Sequence, residues 1–376
     1  MTLNGKRRML LTLVLLGFVV AGIGVGLWWL ISGRYHESTD DAYVGGNLVQ
    51  VTPQTGGTVL AIHADDTDFV TGGEVLVELD KSDARVAVEQ AEAQLARTVR
   101  GVRNLKATTG ELEANVELRR ADLKKAEQDL ERRHGLEASG AVSGEELQHA
   151  RDAIQAARAA YEAAQRQLEA QRTLVEKTSV STHPDVRNAA AKVREAYLAL
   201  SRTAIPAPLS GFVARRSVQL GQRVSAGNPL LTVVALDDVW VDANFKESQL
   251  ANLRAGQEAT LSADAYGNSV KYHGRVVGFA AGTGSAFALL PAQNATGNWI
   301  KVVQRVPVRI ALDPKELREH PLQIGLSMQV EVDTHERGGE RLQRKTRALP
   351  AYQTRALGFD EAAVDRRIAA IVAENQ

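Results

Sequence analysis

The chain has 376 residues, 45 lysines and arginines against 45 aspartates and glutamates, no cysteine, and only 5% aromatic residues. That length implies two or three domains, and the balanced charge argues against a basic face for nucleic acid. The missing cysteine excludes disulfide frameworks, thiolate metal sites, a cysteine nucleophile and a lipid anchor on an N-terminal cysteine.

In chain order, residues 1–8 are a short polar start in which Lys6, Arg7 and Arg8 precede an uncharged stretch, Met9–Ile31. The stretch is long enough to cross a bilayer as a helix, and Trp28 and Trp29 stand at its far end, where indoles favour the interface. A cleaved signal would be about half as long and would end in a small-x-small site, which does not follow Leu30. We read 9–31 as a retained anchor. Three cations lie ahead of it and only Arg34 close behind, with Asp40 and Asp41 following, so residues 1–8 are expected in the cytoplasm and the rest of the chain exported. Residues 32–50 read as a linker passing into a first strand of a β-barrel.

A short apolar pattern then occurs twice, at Pro53–Leu79 and Ala207–Val233. Gly57, Val59, Val70, Gly73 and Leu76 match Gly211, Val213, Val224, Gly227 and Leu230 without gaps. Glycine-broken apolar runs of this kind predict short strands and tight turns. Neither half-motif, 51–80 or 204–236, can bury a core alone, so the two are expected to pair and force the residues between them outward.

Residues 82–203 carry a heptad pattern. Val88, Leu95, Val102, Thr109, Val116, Leu123 and Leu130 recur every seven residues, and after Gly140 the spacing resumes at Leu147, Ile154, Tyr161, Leu168 and Val175. This predicts an antiparallel coiled-coil hairpin about 80 Å long at 1.5 Å per residue, its tip near 136–145. The accumulation of Ser, Thr and Pro at Thr178–Pro184 interrupts the return helix and shifts the seam by four residues, as a stutter would, predicting a bend or short loop. At the tip, Arg132 and Leu136 fall off the seam and lie one turn apart on one face. An apolar residue exposed there suits contact with another protein. Ser143-Gly144-Glu145-Glu146, with Val142 and Leu147, fits a capping box and its hydrophobic staple, which accounts for Ser143 with or without a partner contact.

Residues 237–334 predict a β-barrel with strands at Val239–Ala243, Glu258–Ser262, Gly274–Phe279, Trp299–Ile310 and Met328–Val332, and helical patches near Lys246–Arg254 and Pro314–Glu319. The polar tail, 335–376, ends in an amphipathic helix over Asp360–Asn375 with Val364, Ile368 and Ile371 on one face. The scattered histidines lack metal-ligand spacing, Gly282-Thr283-Gly284-Ser285 has no lysine following it, and nothing pairs a nucleophile with a base. We therefore expect no enzyme, metal or cofactor. Leu79-Asp80-Lys81 looks like a lipoyl or biotinyl attachment turn, but the arm begins directly after it, so Lys81 reads as a first-turn helix residue.

Ser38-Thr39-Asp40-Asp41-Ala42-Tyr43-Val44-Gly45-Gly46-Asn47, Val239–Glu247 and Leu290–Trp299 resemble strings of the EmrA-type membrane fusion proteins, the periplasmic adaptors of Gram-negative tripartite multidrug efflux systems. The resemblance runs from the anchor to about Thr334. It implies an α+β multidomain fold: an N-terminal transmembrane helix, a long hairpin inserted in a split lipoyl-like β domain, and a small β-barrel. It also implies a single-pass inner-membrane protein, periplasmic in bulk, that links a major facilitator transporter to a TolC-like outer-membrane channel as a ring of several copies, with toxic hydrophobic small molecules as cargo. The family's Arg-x3-Leu-x6-Ser tip motif falls on Arg132, Leu136 and Ser143, which by resemblance meet the channel. The alternative is the adaptor of an ATP-driven type I protein secretion system.

Overall fold

A computed structural model describes residues 3–31, 33–137, 140–175, 177–287, 303–340, 342 and 348–376. It opens with helix α1 (Leu3–Ile31), a single 3-10 turn at Gly33–Tyr35, and strand β1 (His36–Gly45). The first half-motif supplies β2 (Leu48–Val51), β3 (Gly57–Ile62), β4 (Phe69–Val70) and β5 (Val75–Leu79). Helices α2 (Ser82–Glu137), α3 (Gly144–Val175) and α4 (Pro184–Ser201) follow, and the second half-motif supplies β6 (Ala204–Pro206), β7 (Gly211–Arg216), β8 (Arg223–Val224) and β9 (Leu231–Val234). The chain then forms β10 (Trp240–Lys246), β11 (Glu258–Ala263), β12 (Tyr272–Phe279), β13 (Arg305–Leu312), α5 (Pro314–Glu319), β14 (Ser327–Asp333) and α6 (Glu361–Asn375).

The half-motifs interlock. Their two four-stranded sheets run β2-β9-β7-β4 and β6-β5-β3-β8, and shifting the first half by its sequence offset turns one order into the other. Gly57 pairs with Val224 and Val70 with Gly211, so each edge strand of one half is completed by the other half. Gly73 and Gly227 occupy the same left-handed position, at φ +91° and +86°, where a side chain would be strained. The shared core is aliphatic: Leu76, Val77, Leu79, Leu230, Leu231 and Val233 are all buried. Lys81 pairs weakly with Glu78 at 4.0 Å just ahead of α2 rather than standing at a hairpin turn.

The region read as a linker differs in extent. Strand structure begins at His36, and β1 closes a six-stranded barrel in the order β1-β10-β13-β12-β11-β14. β2, only three residues after β1, pairs with β9 in the other module. Tertiary pairing explains this, because β1 is completed by β10 and β14, both distant in sequence. The barrel strand expected from Trp299 begins at Arg305; residues 299–302, and the string Leu290–Trp299, lie outside the described residues. Phe245, Leu261, Tyr272, Ile310 and Met328 fill the barrel. Burial pushes the Tyr272 hydroxyl up to about 12, and it donates to the His320 carbonyl at 3.0 Å.

Within the hairpin the seven-residue positions Val88, Leu95, Val102, Thr109 and Val116 are buried, while Leu123 and Leu130 near the tip are half-buried. The return helix breaks between Val175 and Pro184, as the Ser/Thr/Pro run suggests. There the buried His183 ring caps α4 by accepting from Asp185 N and reaches the Leu174 carbonyl at 3.0 Å, while Lys106 donates to Thr178 O at 2.7 Å. The tail helix α6 folds back against α2 and α4. Its Val364, Ile368, Ile371 and Val372 join Leu95, Val99, Val102 and Val193 in one cluster, making the root of the hairpin three helices thick.

Candidate docking site at the hairpin tip

The tip is built from local sequence chemistry. At 56 residues, α2 is about 84 Å long, and it carries the tip far from the β modules. Gly140 at φ +70° takes the left-handed position after α2, its N–H donating to Glu137 O at 3.0 Å. Ser143 then opens α3 with a complete capping box. Its hydroxyl accepts from Glu146 N at 3.2 Å and donates to Glu146 Oε2 at 3.0 Å, and Glu146 Oε2 accepts from Ser143 N at 2.8 Å. The Ser143 backbone N–H, and then its hydroxyl, hold the Glu146 carboxyl below its usual range. Val142 is half-buried and Leu147 is buried, as the staple requires. Residues 138–139 lie outside the described residues.

Of the residues singled out by sequence, Leu136 is exposed (46%), and the Arg132 side chain is 71% exposed. Both are off the seam. Arg132 Nη2 donates to Asp129 at 2.7 Å, and Arg133 Nε to the other Asp129 oxygen at 2.8 Å, so Asp129 is held below its ordinary value first by the Arg132 hydrogen bond. Arg133 also reaches the Glu146 carbonyl at 3.5 Å, tying the end of α2 to the start of α3. Sequence reasoning missed Asp129 and Arg133. Their i, i+3 and i, i+4 spacing from Asp129 was the available signal. The two arginines divide the work: Arg133 reaches across the turn, and Arg132, paired with Asp129 on its own helix, stays exposed one turn from Leu136. This arrangement presents a guanidinium, an aliphatic side chain and a hydroxyl on a rigid end. Among the described residues, no group of three or more His, Asp or Glu side chains is placed to hold a metal.

At the opposite end, Lys6, Arg7, Arg8, Trp28 and Trp29 lie in α1, and Arg7 is exposed. Met9–Gly26 has a mean hydropathy of 2.5 and none of it is buried within the protein, which suits a helix that crosses a membrane.

Comparison with known proteins agrees with this plan. Residues 82–203 match the family model described as EMRA, alpha-helical hairpin domain. The multidrug export protein EmrA of Escherichia coli (strain K12) is 48% identical over 372 residues, covering 99% of this chain and 95% of that protein. The fatty acid resistance protein FarA of Neisseria gonorrhoeae is 48% identical over 98% of this chain and 93% of its own length. A solved structure of the periplasmic adaptor protein EmrA aligns with a TM-score of 0.40 at 18% identity, covering 80% of this chain and 99% of that one. With 48% identity over nearly the whole of both chains, and a hairpin that matches the family model, the chain belongs to the EmrA family of membrane fusion adaptors, which are not enzymes.

Proposed function

We propose that this protein is the periplasmic adaptor of a multidrug efflux system, joining an inner-membrane major facilitator transporter to a TolC-like outer-membrane channel. In this reading residues 1–8 lie in the cytoplasm, α1 crosses the inner membrane once, and several copies form a ring. The observation that carries it is a braced arm more than 80 Å long, anchored at one end and presenting exposed Leu136 and Arg132 off the seam at the other. Reach of that order spans an aqueous compartment, and an aliphatic side chain unsupported by the coiled coil gains by burial in a partner. The names of the relatives, multidrug export and fatty acid resistance, favour small hydrophobic cargo over the polypeptide cargo of an ATP-driven secretion system.

Arg132→Asp and Leu136→Ser should each abolish drug resistance while leaving expression and helicity intact, since neither side chain supports the seam. A photo-crosslinker at position 136 should capture the outer-membrane channel in cells. Unchanged resistance in both variants would remove the docking role. Ser143 serves the cap in any case, so the informative pair is Ser143→Ala and Ser143→Asn. Asn keeps the cap but loses the hydroxyl. Resistance kept in Ser143→Asn and lost in Ser143→Ala would mean a capping role alone.

A further inference from the structure

The chain leaves α1 at Ile31 and is stapled to the barrel four residues later: the Tyr35 carbonyl accepts from Thr334 N at 2.7 Å and from the Thr334 hydroxyl at 2.8 Å. Four residues reach at most about 14 Å even when fully extended. The apolar stretch Met9–Ile31 fills the hydrocarbon layer as a helix, and the polar headgroup layer beyond it is only about 5–8 Å deep on each side. The edge of the barrel formed by the start of β1 and the end of β14 is therefore held within roughly 14 Å of the hydrocarbon boundary, at the headgroups or just above them. It is not free to swing on a linker.

That edge carries an aromatic stack and two cations. His335 stacks on Tyr35 with ring centroids 4.2 Å apart, and the guanidiniums of Arg34 and Arg337 lie 4.8 and 5.8 Å from the same Tyr35 ring. The neighbouring acids have partners other than the two arginines, Asp333 within the stack itself. Asp333 pairs with His335 at 2.5 Å, Glu331 lies 4.0 Å from His36, and Glu37 accepts from Asn252 at 2.9 Å. Farther round the rim, Arg275 pairs with Glu258 and Arg305 with Asp41. Among the described residues, neither Arg34 nor Arg337 has a carboxylate within 4.0 Å, and Glu336, though adjacent in sequence, pairs with neither. Arg337 Nε donates to the Thr334 carbonyl at 3.3 Å, and the two exposed guanidiniums, converging on one amphipathic ring close to the water–lipid boundary, keep further N–H groups for phosphate oxygens.

We propose that Arg34, Tyr35 and Arg337 form a seat for the phosphate of a phospholipid headgroup, preferring anionic lipid, that fixes the height and tilt of the barrel on the membrane. The site lies at the opposite end of the protein from the hairpin tip and does not depend on which channel or transporter the adaptor meets. Tyr35 supplies the interfacial ring.

The test uses the full chain in nanodiscs of phosphatidylcholine with and without phosphatidylglycerol, reading the lipids retained on the protein by native mass spectrometry after release into detergent. Wild type should retain phosphatidylglycerol in preference to phosphatidylcholine. Arg34→Gln with Arg337→Gln should lower that preference about 30-fold, two cation–lipid contacts of ordinary surface strength. Arg223→Gln, an exposed arginine on the lipoyl-like module, should leave it unchanged, and an unchanged thermal melt of the double variant shows that the barrel is intact. Millimolar inorganic phosphate should not displace the lipid; displacement would make this a site for a soluble anion and overturn the proposal. Equal retention in wild type and the double variant would also overturn it. So would unaltered lipid retention with reduced copurification of an inner-membrane protein, which would make the edge a protein contact.

Discussion

Replacing Ile368 with alanine probes whether α6 is a structural part of the hairpin root. Ile368 is 7% exposed and packs with Val364, Ile371 and Val372 against Leu95, Val99, Val102 and Val193. Truncating a buried isoleucine to alanine costs about 2–5 kcal/mol through lost transfer energy and the cavity left behind. Ile368 sits in a narrow layer between helices that can partly collapse, so we take the lower half, about 2–3 kcal/mol, for this site. If α6 detaches locally, without global unfolding, that loss raises its open population about 30- to 150-fold at 1.4 kcal/mol per tenfold. Hydrogen exchange read by peptide mass spectrometry should show the change directly. Amides of 362–375 should exchange faster by that factor, those of 95–102 and 186–193 by less, and the barrel peptides 240–246 and 305–312 not at all. Unaltered exchange in α6 would refute the packing argument, and uniform acceleration across the barrel would refute the claim that α6 opens as a local unit.

The same seat has a polar latch and a pH signature. Arg367 donates to both Glu92 oxygens at 3.0 and 2.8 Å, Tyr197 adds a third bond at 2.8 Å, and the Arg367 hydrogen bond holds Glu92 below its ordinary value of 4.5. A depressed carboxyl stabilises the fold fully above its unfolded pKa and loses that contribution as pH falls through the folded one. α6 protection should therefore be constant near neutrality and drop below about pH 4.5, and Glu92→Gln should flatten that dependence; identical pH profiles would disprove the latch. On the seam, Leu123→Asp places a charge between two helices and should lower the melting temperature of the helical signal, whereas Leu118→Asp, at an exposed site, should not; equal melts would mean the register is misassigned. In the β module, a Cβ on Gly211 would collide with the Val234 carbonyl of β9, which is backbone and cannot swing away. Gly211→Ala should cost about 1–3 kcal/mol in chemical denaturation while Gly101→Ala, in open space on α2, costs nothing; a neutral Gly211→Ala would contradict the close approach of β7 to β9 within the second half-motif.

Periodicity and internal repetition made much of this protein legible in its sequence. A seven-residue repeat specifies which side chains of α2 and α3 face each other, because a helix can bury only one stripe. The matched glycines of the half-motifs could be located because φ near +90° and close backbone contact each favour the same residue. The capping box, the left-handed Gly140 and the off-seam Arg132 and Leu136 were likewise readable, since each depends on neighbours within four positions. What tertiary structure alone decided involves partners far apart in the chain. The expected barrel strand runs from as early as His36 because β10 and β14 lie on either side of it, and β2 leaves for the other module because β9 is there. Val99, outside the two-helix seam, is fully buried because α6 returns from more than 250 residues away to cover it. Arg34 and Arg337 meet at Tyr35 only once the barrel closes. Local sequence carries the rules for an element and its faces, but which faces find one another depends on the free energy of the whole packed chain.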